Sequence, residues 1–115
     1  MDIQDSHINY VEFRAKDLKA IKKFYKASFD WIFTDYGTTY TAFSNSGLEG
    51  GFEKTDTDPI NGALVVLYHH NLESIKNRII AAGGKITIAI FSFPGVRRFH
   101  FSDPAGNELA VWSDN

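Results

Sequence analysis

The chain has 115 residues, 43% of them hydrophobic and 23% charged, and a formal net charge of −2. That length suits one domain over residues 1–115, and a weakly negative balance gives no basis for binding nucleic acid or an anionic membrane. The absence of cysteine excludes disulfides, thiolate metal sites and cysteine nucleophiles.

Ten Phe, five Tyr and two Trp make up 15% of the chain. Side chains this large must fill a core, line a cavity or cover an interface. No apolar run approaches the roughly 20 residues that span a bilayer. The N-terminus MDIQDSHINY is polar and acidic, unlike a secretory signal, so the expected location is cytoplasmic.

In chain order, a β-rich run from Tyr10 leads to Asp17, which is placed to cap a helix predicted near residues 18–28. Leu18, Ile21, Phe24 and Tyr25 fall on one face of that helix. Strand patterns follow at 31–34, 38–43 and 50–54, separated by turn residues at Gly37 and at Asn45 to Gly47. The polar stretch KTDTDPIN then joins two halves, expected at about 5–55 and 61–113. The second half repeats the first at an offset of 54 positions, setting Asp17 against Asn71 and Ile21 against Ile75. Its β-rich run LVVLY precedes a helix predicted near 72–82, with Leu72, Ile75 and Ile79 on one face and Gly83-Gly84 ending it. Strands are predicted at 85–90, 97–101 and 108–112. Each half therefore reads β-α-β-β-β, an α+β class.

The closing segment FHFSDPAGNELAVW and the opening NYVEFRAKDLKAIKKFYKASFDW resemble the last turn and first strand–helix of the vicinal-oxygen-chelate group, which contains glyoxalases, bleomycin-resistance proteins and extradiol dioxygenases. The resemblance implies tandem βαβββ modules that form a cupped mixed sheet around a cavity, with helices on the outer face. It also implies where metal ligands would stand: seven residues before each helix cap, and four residues after the turn glycine of each last strand. Those positions hold Tyr10 and Leu64, Gly51 and Ala110, which are no credible set of metal ligands. No metal and no cofactor are expected, and a catalytic residue is not identified.

Strand alternation extends the reading. Ile8 and Glu12 share the face of Tyr10, while Val11 and Phe13 turn to the helices. Val66 shares the face of Leu64, and Glu108 and Trp112 that of Ala110. The expected concave face is apolar with two carboxylates, built from Tyr10, Glu12, Leu64, Val66, Glu108, Ala110 and Trp112 as ligand-binding residues. Its bland counterpart is a packed core, with Glu12 paired to Arg14, Arg97 or Arg98. His7 and His100 are candidates for a metal site of another kind. His69 and His70, as neighbours on an extended chain, would point to opposite sides. Arg97 and Arg98 read as a solvated strand edge, or as a guanidinium that recognises an anion near the cavity mouth. The resemblance implies a small-molecule-binding protein without the family's metal, acting as a homodimer. The alternatives are a divergent lyase, isomerase or dioxygenase, and an interaction module whose Phe91, Phe93, Phe99 and Phe101 form an interface.

Overall fold

The computed structural model describes residues 5–6 and 8–115; His7 lies outside the described residues. The elements run β1 (Tyr10–Ala15), α1 (Leu18–Phe29), β2 (Ile32–Asp35), β3 (Tyr40–Ser44), β4 (Glu49–Lys54), β5 (Val65–Tyr68), α2 (Leu72–Ala81), β6 (Lys85–Phe93), β7 (Val96–Ser102) and β8 (Glu108–Ser113).

Both helices start where their caps place them. The Asp17 carboxylate accepts from the Ala20 amide and the Asn71 side-chain oxygen from the Ser74 amide, each at 3.0 Å. These bonds satisfy amides that a first helical turn leaves without partners. The apolar faces then bury Ile21, Phe24 and Tyr25 in α1, and Leu72, Ile75 and Ile79 in α2. Gly83, at φ +102°, closes α2 through a bond from its amide to the Ile80 carbonyl. A residue with a Cβ adopts that backbone only under strain.

The strands form two four-stranded mixed sheets, ordered β1-β4-β3-β2 and β5-β8-β7-β6. In each, the first and last strands of a module pair in parallel and the other pairs are antiparallel. The α+β class and the tandem βαβββ modules are as the sequence implied. Each module contributes one four-stranded mixed sheet.

One face of each sheet packs on the helices. Val11, Phe13, Phe43 and Phe52 of the first sheet, and Val65, Leu67, Phe99, Phe101, Leu109 and Val111 of the second, join one apolar cluster. Aromatic stacking runs through it: Tyr25 lies on Trp31 at 4.5 Å and Trp31 on Phe43 at 4.4 Å. Each such pair contributes about 0.5–1.5 kcal/mol beyond its buried area. Phe24 and Phe29 of α1 reach Phe101 of β7, so the two modules share this core.

A buried polar hub reinforces the junction. The Asp103 carboxylate accepts from the Tyr25 hydroxyl at 2.9 Å, from the amides of Ala105 and Asn107 at 2.9 Å, and from the Asn107 side-chain amide at 3.0 Å. That side-chain amide also donates to the Arg14 carbonyl, across to the first module. Burial raises the Asp103 carboxyl above the usual carboxylate range against these hydrogen bonds, and burial beside Asp103 pushes the Tyr25 hydroxyl well up. The DPAGN segment is thus a turn and also the polar tie between modules.

Candidate ligand-binding face

The faces of the two sheets turned away from the helices are only partly covered. On the second sheet the open face begins with Val66 and Tyr68 of β5, which pair with Ala110 and Trp112 of β8. β8 in turn sets Trp112 opposite Arg98, Ala110 opposite His100 and Glu108 opposite Ser102 of β7. Beyond β7 stand Ile88, Phe91 and Phe93 of β6. Tyr68 meets Trp112 edge to face with centroids 5.0 Å apart, and its hydroxyl donates to Asp114 at 2.8 Å, a bond that raises its pKa. Val66, Tyr68, Ile88 and Phe93 are each more than 40% exposed, which makes this an uncovered apolar face with polar groups set into it.

Those polar groups are His100, Glu108 and Arg98. His100 Nδ1 lies 3.0 Å from Glu108 Oε2, and the Thr87 hydroxyl donates to the same oxygen at 3.4 Å. The guanidinium carbon of Arg98 stands 5.4 Å from the Phe91 centroid and 5.7 Å from that of Phe93. Its neighbour Arg97 is engaged elsewhere. It donates to both Glu73 oxygens, at 2.7 and 3.1 Å, and to the Asn115 carbonyl at 2.9 Å. Period-two alternation explains the split, because adjacent strand residues project to opposite faces.

On the first sheet the open face carries Tyr10, Glu12 and Tyr40. The Tyr10 and Tyr40 hydroxyls are hydrogen-bonded. Burial first, then Tyr10 and the Glu12 carboxylate, raise the pKa of Tyr40. The Tyr40 ring lies across Gly51: a Cβ on Gly51 would sit 2.3 Å from the Tyr40 hydroxyl oxygen. Gly51 is therefore glycine because a phenol occupies the space above it. At the corresponding position of the second sheet Ala110 is fully buried. Tyr10, Gly51, Leu64 and Ala110 offer no metal-binding donor set, and no group of three His, Asp or Glu converges among the described residues. The family's metal does not fit these residues.

The seven residues proposed from sequence are distributed as follows. Val66, Ala110 and Trp112 stand together on the second sheet, and Glu108 stands on the same face beside His100. Tyr10 and Glu12 belong to the first sheet. Tyr10 and Val66 both line a cleft of about 740 Å³ between the free edges of β1 and β5, together with Tyr68, Trp31 and Phe43. Glu12 and Glu108 both line a second cleft of about 410 Å³ beneath the linker, near Asn61. Leu64 precedes β5 and is 41% exposed; Val66, two residues on, is the residue opposite Ala110.

Several other readings are corrected. Glu12 pairs with none of Arg14, Arg97 or Arg98. The rings of His69 and His70 stack at 4.7 Å and do not diverge, because they sit in the bend before α2 where strand alternation no longer holds. His69 Nδ1 accepts from the Asn71 amide, and burial lowers its pKa. The four phenylalanines do not share a surface: Phe99 and Phe101 are fully buried, and only Phe91 and Phe93 reach the open face. Tyr40 was missing from the expected face, and Arg98 was expected only near its mouth. Alternation from Trp112 across to β7 would have found Arg98, given the register.

Residues 7–111 match the family model described as Glyoxalase/Bleomycin resistance protein/Dioxygenase superfamily. No curated protein matches the sequence. Among solved structures, a glyoxalase/bleomycin resistance protein/dioxygenase family enzyme from Burkholderia phytofirmans PsJN superposes with a TM-score of 0.82 at 15% identity, covering 96% of this chain and 100% of that one. A genomically encoded fosfomycin resistance protein from Listeria monocytogenes gives a TM-score of 0.82 at 16% identity, covering 96% and 94%. A glyoxalase-related enzyme from Fulvimarina pelagi gives 0.79 at 16% identity, covering 94% and 88%. Identities this low speak for the fold alone, whereas the family model spans nearly the whole sequence: the chain belongs to the glyoxalase/bleomycin resistance/dioxygenase superfamily.

Proposed function

We propose that this protein binds a bulky or aromatic small molecule on the open faces of its sheets, without the metal of its enzymatic relatives, as a cytoplasmic homodimer. The observation that carries the reading is the aromatic face around Trp112, Tyr68, Phe91 and Phe93, half-exposed and interrupted by a few fixed polar groups. Small-molecule sites have that character: mostly apolar, with sparse polar groups that set orientation. Holding a molecule, as in a resistance-type role, needs affinity and no chemistry, so the loss of metal ligands is tolerated. A second chain laid over the open faces would enclose them, and Tyr, Trp and Phe are the residues that protein interfaces favour.

Trp112 is the reporter and the test. A panel of flat aromatic compounds should quench its fluorescence saturably. Trp112→Ala should weaken binding about 3- to 30-fold, the equivalent of one stacking or cation–π contact. Because its side chain is only partly buried, its removal should cost less than the roughly 3–5 kcal/mol of a fully buried Trp. A large fall in melting temperature, with no compound quenching the wild type, would return Trp112 to the core and end the proposal. Elemental analysis of dialysed protein should find no stoichiometric divalent metal.

A further inference from the structure

The open face of the first sheet holds a pocket of about 420 Å³, lined by Tyr10, Tyr36, Tyr40 and Glu49. Local structure brings these four together. Tyr10 and Glu49 are register partners on the parallel strands β1 and β4, so their side chains project to one side. Tyr40 shares that side with Ala42, which stands opposite Gly51, two residues from Glu49 on β4. Tyr36 follows β2, and its amide donates to the Tyr40 carbonyl at 2.9 Å, which fixes it at the neck of the β2–β3 hairpin.

Two of the rings are held in place before any ligand arrives. Tyr40 lies across Gly51, and its hydroxyl is hydrogen-bonded to that of Tyr10. Aromatic surface is nonetheless left open over the pocket, with Tyr10 44% and Tyr36 63% exposed. The charge around it has one sign. Glu49 lines the pocket, and Glu12 stands two residues from Tyr10 on the same face of β1; neither has an ion-pair partner among the described residues. No Lys, Arg or His lines the pocket among those residues. Arg14 of β1 lies towards the strand's other end, opposite Glu53.

These surroundings select the ligand. An anion would meet Glu49 and Glu12 with nothing to balance it. A bare metal ion needs several converging donors, and no group of three His, Asp or Glu converges among the described residues. A weakly hydrated organic cation fits what is there: tyrosine ring faces attract it, and a carboxylate neutralises it. We infer that this pocket binds a quaternary ammonium group, with Tyr10, Tyr36 and Tyr40 as its aromatic walls and Glu49 as its counter-ion. The site adds a ligand class on the first sheet and does not depend on aromatic binding at the second.

Choline and its neutral carbon analogue, in which a tert-butyl group replaces trimethylammonium, share a shape and differ in charge. Titration of the isotope-labelled full-length protein, followed by amide chemical shifts, should show choline saturating with shifts centred on Tyr10, Tyr36, Tyr40 and Glu49. It should bind at least about tenfold more tightly than the neutral analogue. Tyr36→Leu and Glu49→Gln alter exposed side chains and should leave the melting temperature near wild type. Each should weaken choline at least about threefold, and Glu49→Gln should leave the neutral analogue unaffected. Equal affinity for the two compounds, a choline preference that survives both substitutions, or no shift with choline at about 10 mM would overturn the site. Choline shifts centred on Trp112 would overturn it as well.

Discussion

Asp103→Ala tests how the modules are tied together. The carboxylate accepts from four donors, and the substitution removes that acceptor from each. The losses are unequal. Tyr25 is wholly buried and its hydroxyl has no other acceptor, and Asn107 is 4% exposed with its amide equally bound to Asp103. The Asn107 side chain keeps the Arg14 carbonyl, and the Ala105 amide is near enough to the surface for water to replace the carboxylate. Two buried donors without partners cost about 1–3 kcal/mol each. Relief of the buried carboxylate, whose raised pKa records its desolvation, offsets some of this. A net loss of about 2–4 kcal/mol follows, which lowers the melting temperature of a domain this size by roughly 10–20 °C. Urea unfolding followed by circular dichroism measures the loss. Tyr25→Phe in a double-mutant cycle should show that much of it is shared with Tyr25. If Asp103→Ala unfolds within about 0.5 kcal/mol of wild type, the hub is not what joins the modules.

Two further outcomes follow from the surface. The Glu73 carboxyl is held down to about 2, first by its hydrogen bonds from Arg97. A depressed carboxylate contributes stability above its usual range and loses it as pH falls through the depressed value. The melting-temperature gap between wild type and Glu73→Gln should therefore close between about pH 4.5 and 2, and a gap that ignores pH would contradict the pairing. Light scattering at micromolar concentration should give twice the 13.0 kDa of one chain, and a mass of one chain would count against the dimer.

The helices were readable because their signals are local. Asp17 and Asn71 cap them by side-chain bonds spanning three residues, and the apolar periodicity needs one turn at a time. The faces of β1 were readable for the same reason: Val11 and Phe13 went to the core and Tyr10 to the open side, as alternation demands. What lay between strands was not readable. His100 and Glu108 meet across a hairpin, so their contact depends on a register that two segments alone do not declare. β6 runs on to Phe93 instead of stopping at residue 90, with register shifts between Ile86 and Ile88 and between Ile88 and Phe91. Each shift breaks the parity on which face assignments rest, so Phe91 and Phe93 could not be sorted from Phe99 and Phe101 by counting. Gly50 and Gly51 did carry a clue. Glycine inside a strand signals close approach by another group, here the Phe43 ring at Gly50 and the Tyr40 phenol at Gly51. The bond from Tyr25 to Asp103 joins residues 78 apart and has no local signature.

The central claim is that the open face of the second sheet receives the ligand. Chemical-shift mapping of isotope-labelled protein tests it most directly, with the best quencher from the aromatic panel as titrant. The account predicts saturable shifts concentrated on Val66, Tyr68, Arg98, His100, Glu108 and Trp112, with the core resonances of Phe24, Ile75 and Phe101 unmoved. Shifts confined to the cleft between β1 and β5, around Trp31 and Phe43, or an unchanged spectrum at saturating ligand, would contradict it.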